Sequence, residues 1–533
     1  MTEWADTETL DLHPAAIDDA DVNIPCCNTF NKNLFPPAHR LFTIPLTITM
    51  VESAIRTPQP PNHNILDLPA NLRVLSLNCW GLKFISKHRN ARLAEIGRQI
   101  AALDPPPNIV GLQECWTQED YLSIRESTKH ILPHGKFYYS GIFGGGLAIL
   151  SRWEIEESSM YRYPLNGRPA AFYRGDWFVG KGVACARIRF GEGEKDVAEV
   201  FTTHMHAPYE KEPYDSYICH RTAQAWEVAK FMRHACERGH VVLGLGDFNM
   251  LPLSLAHRLI EAHGGVRDIW RIKRPDSALG AWEDGHGRDS KGGNCPTVDW
   301  CLNQAGATCD SKLNTWRWSK AMRKDLEKGK DTIIDMQAED PRAKRLDYIF
   351  FSPGQNSQSD WDVTSARVGM TQRHPELKCS LSDHFSIETT ITRKPKTETT
   401  TDASPAVKAL PTTTYDQILD MTRKYMQRER TQRKLRIGHF FFHLTFSVGC
   451  LIGVWWAPRN FVSFILMLLS SVGLSVGVID GLMGFLLVGS ELRALREFEW
   501  EIVSAKTRAE RDIRDGKTVG EGPVQDSCND HQA

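Results

Sequence analysis

The chain has 533 residues, 24% of them charged, with a formal net charge of −1 at pH 7. That length supports one large core or two ordinary ones, and so even a balance supplies no general attraction for nucleic acid. The 13 cysteines include no Cys-x-x-Cys pair, and Cys295, Cys301 and Cys309 lack clustered histidines, which argues against a zinc site and for reduced thiols in a protein facing the cytosol.

Residues 1–70 open acidic, carry recurrent Pro, Asn and Asp, and show no signal-peptide pattern. They are expected to be a disordered extension. Residues 71–78 alternate as a strand should and end at Asn78, before Cys79-Trp80-Gly81-Leu82. Residues 89–103 read as an amphipathic helix stopped by Pro105-Pro106-Pro107. A second buried strand over 109–112 ends at Gln113-Glu114. A glycine-rich stretch turns apolar over 141–150, and strands are expected over 183–190 and 198–203, the latter ending at His204-Met205-His206. A long helix spans 215–238. Val241, Val242, Leu243 and Leu245 then form a buried strand, with Gly244 and Gly246 allowing close packing and a turn that delivers Asp247 and Asn249. After a helix over 255–263, residues 268–343 look irregular and read as a large insertion. Residues 345–351 form a strand carrying Asp347, and Ser382-Asp383-His384 precede a last strand over 386–391. Residues 394–414, rich in Thr, Lys and Pro, read as a flexible linker. Strand runs with few helices between them suit two packed sheets with helices outside.

The strand ends carry Asn78, Glu114, His204, Asp247, Asn249, Asp347, Asp383 and His384. Singly, each is an ordinary turn or capping residue. As a set they hold no Ser or Cys nucleophile, and they suit metal-assisted hydrolysis at phosphorus, with carboxylate and amide oxygens for a hard cation such as Mg²⁺ and two histidines for proton transfer.

In order, Leu77-Asn78-Cys79-Trp80-Gly81, Leu112-Gln113-Glu114, Thr203-His204-Met205-His206, Gly246-Asp247-Phe248-Asn249, Leu346-Asp347-Tyr348 and Ser382-Asp383-His384 resemble the motifs of the DNase I-like endonuclease/exonuclease/phosphatase superfamily. Within it the chain is similar to the neutral sphingomyelinases and their fungal inositol phosphosphingolipid phospholipase C members. The resemblance implies an α+β fold, a four-layer sandwich of two packed, mostly antiparallel sheets flanked by helices, over residues 71–393. It implies Glu114 as the Mg²⁺ ligand with Asn78 beside it, and His384 as general base oriented by Asp383. Asp247 and Asn249 would place the water and the phosphorus, His204 would steady the phosphate or serve the leaving alkoxide, and Asp347 would support. His206 has no matching role.

Gly175-Asp176-Trp177-Phe178-Val179-Gly180-Lys181-Gly182 looks like a phosphate-binding loop, but Gly182 stands where Ser or Thr is required, so nucleotide binding is not expected. The sphingolipid branch carries a similar segment, which implies a role for Asp176 and Lys181 in activation or headgroup contact. The alternative is a β-hairpin with a solvated lysine.

Residues 437–456 and 461–488 are apolar runs flanking Ala457-Pro458-Arg459-Asn460, the pattern of a transmembrane hairpin over 437–489. Asp480 interrupts the second run and is expected at a helix interface or where the membrane ends. Basic residues crowd before the first run, Arg433, Lys434 and Arg436 among them. They place that side, the catalytic domain and the tail 490–533 in the cytosol and offer a site for anionic phospholipid activators. The expected activity is Mg²⁺-dependent phospholipase C hydrolysis of phosphosphingolipids to ceramide and a phosphorylated headgroup at a membrane such as the endoplasmic reticulum or the mitochondrion. A nuclease or inositol-phosphate phosphatase of the same fold, or an inactive membrane scaffold, are the alternatives. No nucleic-acid or nucleotide partner is expected.

Overall fold

The computed structural model describes residues 68–210, 214–277, 280–285, 294–354, 359–395 and 410–516. The expectation for residues 1–70 falls almost wholly outside these. The strands are β1 (Asn71–Asn78), β2 (Ile109–Gln113), β3 (His134–Tyr138), β4 (Leu147–Ser151), β5 (Ile155–Arg162), β6 (Gly182–Arg189), β7 (Val197–His204), β8 (Val241–Asp247), β9 (Arg267–Asp268), β10 (Asp347–Ser352), β11 (Ser359–Gly369) and β12 (Ser386–Pro395). The helices are α1 (Arg89–Ala101), α2 (Gln118–Thr128), α3 (Asp176–Val179), α4 (Ile218–Glu237), α5 (Leu255–Gly264), α6 (Ile269–Lys273), α7 (Val298–Trp300), α8 (Lys320–Glu327), α9 (Thr412–Gly453), α10 (Asn460–Leu482) and α11 (Val488–Arg514).

Among the described residues the strands form two six-stranded sheets, ordered β11-β12-β1-β2-β4-β3 and β5-β6-β7-β8-β10-β9. β1 pairs parallel with β2, and β7 with β8; the other neighbours run antiparallel. The inner faces meet in an apolar core that includes Val74, Ile109, Ile149, Val200, Leu243, Leu245, Ile349 and Ile387. Packing there is close: a Cβ on Gly111 would fall 2.8 Å from Leu245 Cδ1. Leu93, Ile96 and Ile100 of α1 and Ile124 of α2 cover the outer face of the first sheet, and Trp226 and Met232 of α4 with Leu259 and Ile260 of α5 cover the second. This is the expected four-layer sandwich. The two parallel pairs bring the C-terminal ends of β1, β2, β7 and β8 to one rim, and antiparallel β10 and β12 begin there, with Asp347 opposite Asp247.

The stretch 268–343 is less irregular than its composition suggests. It supplies α6, α7 and α8, buries Trp270 completely, and sends Thr308 into the site described below.

Residues 396–409 lie outside the described residues, but from Leu410 onward the backbone packs on the sandwich. Tyr415, Ile418, Leu419, Tyr425 and Met426 of α9 and Leu492, Leu495, Phe498 and Ile502 of α11 join the apolar cluster around α4. Polar contacts seal the contact: Trp226 Nε1 donates to Glu501 Oε2 at 2.6 Å, Lys230 Nζ to the same carboxylate at 2.8 Å, and His220 Nε2 lies 3.2 Å from Glu491 Oε1.

Beyond this dock, α9 and α10 are long and apolar enough to cross a membrane. They expose Phe441, Leu451, Phe464 and Ile479 and pack against each other through small residues. A Cβ on Gly477 would fall 2.6 Å from His443 Cβ, and one on Gly481 2.9 Å from Phe440, a close approach of the kind small residues allow between membrane-spanning helices. Asp480 sits at the helix interface, held by Arg436 and His439 of α9.

Candidate active site

The rim gathers Asn78, Glu114, His204, Asp247, Asn249, Asp347 and His384 around one point. Asn78, at the end of β1, donates through Nδ2 to Glu114 Oε1 and to Asp247 Oδ2, both at 3.1 Å. Its own Oδ1 is fixed by the backbone N–H of Trp80 at 3.0 Å. Glu114 follows β2 with a φ of 52°, which turns its side chain out of the sheet into the rim. His204 Nε2 lies 3.6 Å from Asp247 Oδ2 and 4.0 Å from Glu114 Oε1. Asp247 Oδ1 accepts from the backbone N–H of Asn249 at 2.9 Å. Asn249 also takes a left-handed φ, 47°, and its Nδ2 donates to Met205 O at 3.1 Å.

His384 departs from expectation in its partner. Its Nδ1 lies 2.8 Å from Asp347 Oδ2, and its Nε2 faces Asp247 Oδ2 at 3.8 Å. Asp347 Oδ2 also accepts from Thr308 Oγ1 at 2.5 Å. The neighbouring Asp383 instead points toward Ser382 Oγ at 3.5 Å and Arg317 at 4.0 Å. Adjacent residues leave the backbone in different directions, so the orienting carboxylate comes from β10 and not from the next residue.

Burial sets the charges. Burial opposes a charged His384, but the carboxylate of Asp347, with Cys309 and Asp247, holds its imidazole well above the usual range. Burial pushes His204 well below that range, helped by the charges of Lys181 and His384. Burial raises the Asp247 carboxyl to about 7 against the pull of His384. Glu114 is likewise raised, by burial first and then by Asp383.

A divalent cation fits this set at Glu114. Its Oε2 is buried with no hydrogen-bond partner among the described residues, beside a carboxylate and an amide. A buried carboxylate oxygen left bare is costly unless a cation completes it. Asp247, Asp347 and His384 also present ligand atoms within 4.8 Å of one another. Asp347 Oδ2 and the Nδ1 of His384 are already committed to each other, although Asp347 Oδ1 is as bare as Glu114 Oε2.

Asp176 and Lys181 flank the rim. The stretch 175–182 is a short helix, α3, followed by the start of β6, so neither a phosphate-binding loop nor a hairpin forms. Lys181 is buried, not solvated, and its Nζ donates to Met205 O at 3.1 Å. Asp176 accepts from Tyr209 at 3.1 Å and lies 3.6 Å from His206 Nδ1. His206 itself is fully buried between Asp176, Tyr217 and His220, one layer behind the rim. Arg433, Lys434 and Arg436 lie on α9, away from the rim. Arg433 donates to Gly484 O at 3.2 Å and Arg436 pairs with Asp480; Arg433 and Lys434 are exposed and Arg436 is half-buried.

Two residues invisible in the strand-end pattern complete the arrangement. Thr308 has no motif around it. Arg92, on α1, is buried under Trp80 and Trp316 and donates to Cys79 O, Trp80 O and Leu381 O. It ties the loop after Asn78 to the segment that carries His384.

Residues 75–384 match the endonuclease/exonuclease/phosphatase family. The chain is 38% identical over 446 residues to the inositol phosphosphingolipids phospholipase C of Schizosaccharomyces pombe, covering 82% of this chain and 94% of that one. It is 32% identical over 470 residues to the protein of the same name in Saccharomyces cerevisiae, covering 82% and 90%. Among solved structures it is similar to sphingomyelinase C of Streptomyces griseocarneus, with 16% identity, a TM-score of 0.37, and 60% of this chain and 99% of that one covered. The chain therefore belongs to the endonuclease/exonuclease/phosphatase family and is a phosphoric diester hydrolase.

Proposed function

We propose that the protein is a membrane-anchored phospholipase C that hydrolyses phosphosphingolipids, inositol phosphosphingolipids and sphingomyelin among them, to ceramide and a phosphorylated headgroup. The observation that carries this reading is the bare Glu114 Oε2 beside Asn78 and Asp247, a few ångströms from the His384–Asp347 pair. The names of the two yeast relatives supply the substrate class.

Glu114, with Asn78 beside it, would hold a Mg²⁺ ion, which would supply positive charge to offset that of the phosphate. The protein's own groups do the rest. Asp247 and Asn249 place a water in line with phosphorus. His384, oriented through Nδ1 by Asp347, takes the water's proton on Nε2. The new bond joins the water oxygen to phosphorus, and the bond to the ceramide oxygen breaks. His204, kept neutral by burial, can offer one N–H as a hydrogen bond to a phosphate oxygen or to the departing alkoxide, which takes its proton from water. Residues 437–489 would hold the enzyme in the bilayer, with the catalytic domain and the tail in the cytosol and the endoplasmic reticulum the first membrane to examine.

The test is the purified full chain in mixed micelles with Mg²⁺, offered inositol phosphoceramide, sphingomyelin, abasic DNA and inositol polyphosphates. Ceramide release that disappears with a chelator is expected. Cleavage of DNA or of inositol polyphosphates with no ceramide formed would overturn the assignment.

A further inference from the structure

Ile142 and Phe143 stand side by side on the loop between β3 and β4 and are 70% and 62% exposed. Adjacent large apolar side chains held in water need an explanation. The loop beneath them is firmly built. The backbone N–H groups of Ile142 and Phe143 both donate to Phe178 O, at 3.1 and 3.2 Å, and Ser140 Oγ donates to Gly180 O at 2.6 Å. Gly141 lies so near Gly180 that a Cβ on it would fall 2.7 Å from Gly180 Cα. The two side chains are thus presented outward by a clamped backbone, and Phe143 is continued by Phe178, ring centroids 6.1 Å apart.

This loop joins the active site to the base of the apolar hairpin. On the inner side, Gly146 O accepts from the N–H of Cys115, the residue after Glu114, and Gly180 immediately precedes Lys181. On the outer side, α3 follows the 3-10 turn Pro169–Arg174, and Ala170 O in that turn accepts from Arg436 at 3.3 Å. Arg436 sits where α9 changes from basic to apolar and pairs with Asp480 of α10. A continuous path therefore runs from the polar end of the hairpin through Ala170 and Phe178 to the two exposed side chains.

We propose that Ile142 and Phe143 form an apolar lip that enters the headgroup–acyl boundary of the same phospholipid bilayer that the hairpin spans, seating the mouth of the active site on the membrane. The proposal rests on the membrane-anchored reading above. A bilayer is the occupant because the lip continues from the hairpin's polar boundary, and because an aromatic and an aliphatic side chain on a polar loop suit an interface. Since the lip and Lys181 share one clamped segment, seating the lip also sets where a headgroup meets Lys181.

The full chain with Phe143→p-benzoylphenylalanine, reconstituted in phosphatidylcholine vesicles and irradiated, is expected to carry a lipid adduct at that position. The same substitution at Arg267 is expected to carry none, because Arg267 pairs with Phe351 at the end of β10 remote from Asp347. A chain that floats with the vesicles but shows no adduct at position 143, or crosslinks there to a second copy of itself, overturns the lip and leaves the anchor standing. A chain that does not float overturns both. In parallel, the double variant Ile142→Ser, Phe143→Ser is expected to lose about tenfold or more on substrate lipid in vesicles and to keep its turnover of a short-chain, water-soluble phosphodiester. Equal losses on the two substrates overturn the proposal.

Discussion

His384 Nδ1 and Asp347 Oδ2 are 2.8 Å apart, on segments 37 residues apart in sequence, and Thr308 Oγ1 donates to the same carboxylate oxygen. This contact fixes which imidazole nitrogen faces the rim. Asp347→Asn should lower kcat by about 10³–10⁴, as the loss of a carboxylate that orients a catalytic histidine does, whereas Asp383→Asn should cost less than about tenfold. The pH profile separates the two further. A general base works deprotonated, so kcat/KM rises with pH through the pKa of His384. Asp347 is the largest influence raising that pKa against burial, so Asp347→Asn should move the rising limb to lower pH while the plateau falls. Loss of the plateau in Asp383→Asn with Asp347→Asn active would reverse the assignment.

The bare carboxylate of Glu114 leads to a paired expectation for activity and stability. Burial holds its pKa up, so the metal-free fold bears the cost of a charge kept from water. Glu114→Gln should abolish activation by Mg²⁺, and it should leave the melting temperature of the chelated protein unchanged or a few degrees higher. Calorimetry with and without Mg²⁺ checks this. A variant that melts lower in chelator and still hydrolyses substrate in Mg²⁺ would place the cation elsewhere.

Behind the rim, Arg345 donates to Asp268 at 2.6 Å with both side chains buried, and His257 Nε2 lies 3.3 Å from the same oxygen. Asp268→Asn leaves Arg345 buried without its anion and should cost about 3–5 kcal/mol at neutral pH. Burial alone would raise the Asp268 carboxyl, but Arg345 and His257 hold it down at about 2. A depressed folded pKa means that the stability is fully present above the unfolded value of about 3.9 and is lost as pH falls toward 2. The difference in unfolding free energy between wild type and variant should therefore shrink between about pH 4 and pH 2. A difference that stays constant across that window would show that Asp268 is not ionised in the fold.

Local patterns made the rim legible. An apolar strand followed at once by Asn78, Glu114, His204 or Asp247 is read within a few residues, and β pairing needed only to bring those ends together. What sequence hid was non-local. Asp383 is adjacent to His384 and so looks like its partner, but the register that sets Asp347 opposite Asp247 decides the matter. Thr308 reaches the site because its neighbour Cys309 bridges both Lys344 and His384, across a stretch whose composition reads as loop. The docked helices were hidden differently. Tyr415, Ile418, Leu419, Thr422, Tyr425, Met426 and Glu429 form a buried stripe at helical spacing on α9, a periodicity masked by the basic residues between them.

That dock divides the basic run of α9 into members with different work. Arg433 donates to Gly484 O, and Arg436 joins Asp480 and Ala170 O, so both hold the hairpin together. Arg430 and Lys434 are exposed. Anionic headgroups attract such residues by about 1 kcal/mol each near the surface, and salt screens that attraction. With the catalytic domain fixed to α11 by Glu501 and to α9 by the apolar packing of Tyr415, Ile418 and Tyr425, pulling α9 toward an anionic surface reorients the whole domain. The double variant Arg430→Gln, Lys434→Gln should therefore flatten the rise in hydrolysis as the anionic phospholipid fraction of mixed micelles increases, and should lose its sensitivity to salt. Arg436→Gln leaves Asp480 held by His439 alone. It should lower the melting temperature and the turnover in neutral micelles while keeping the steepness of the anionic response. Identical activation curves for wild type and the double variant would leave the exposed pair a topology signal only, and the response to anionic lipid would then have to arise at the rim, where the charge of Lys181 acts on both Glu114 and Asp247.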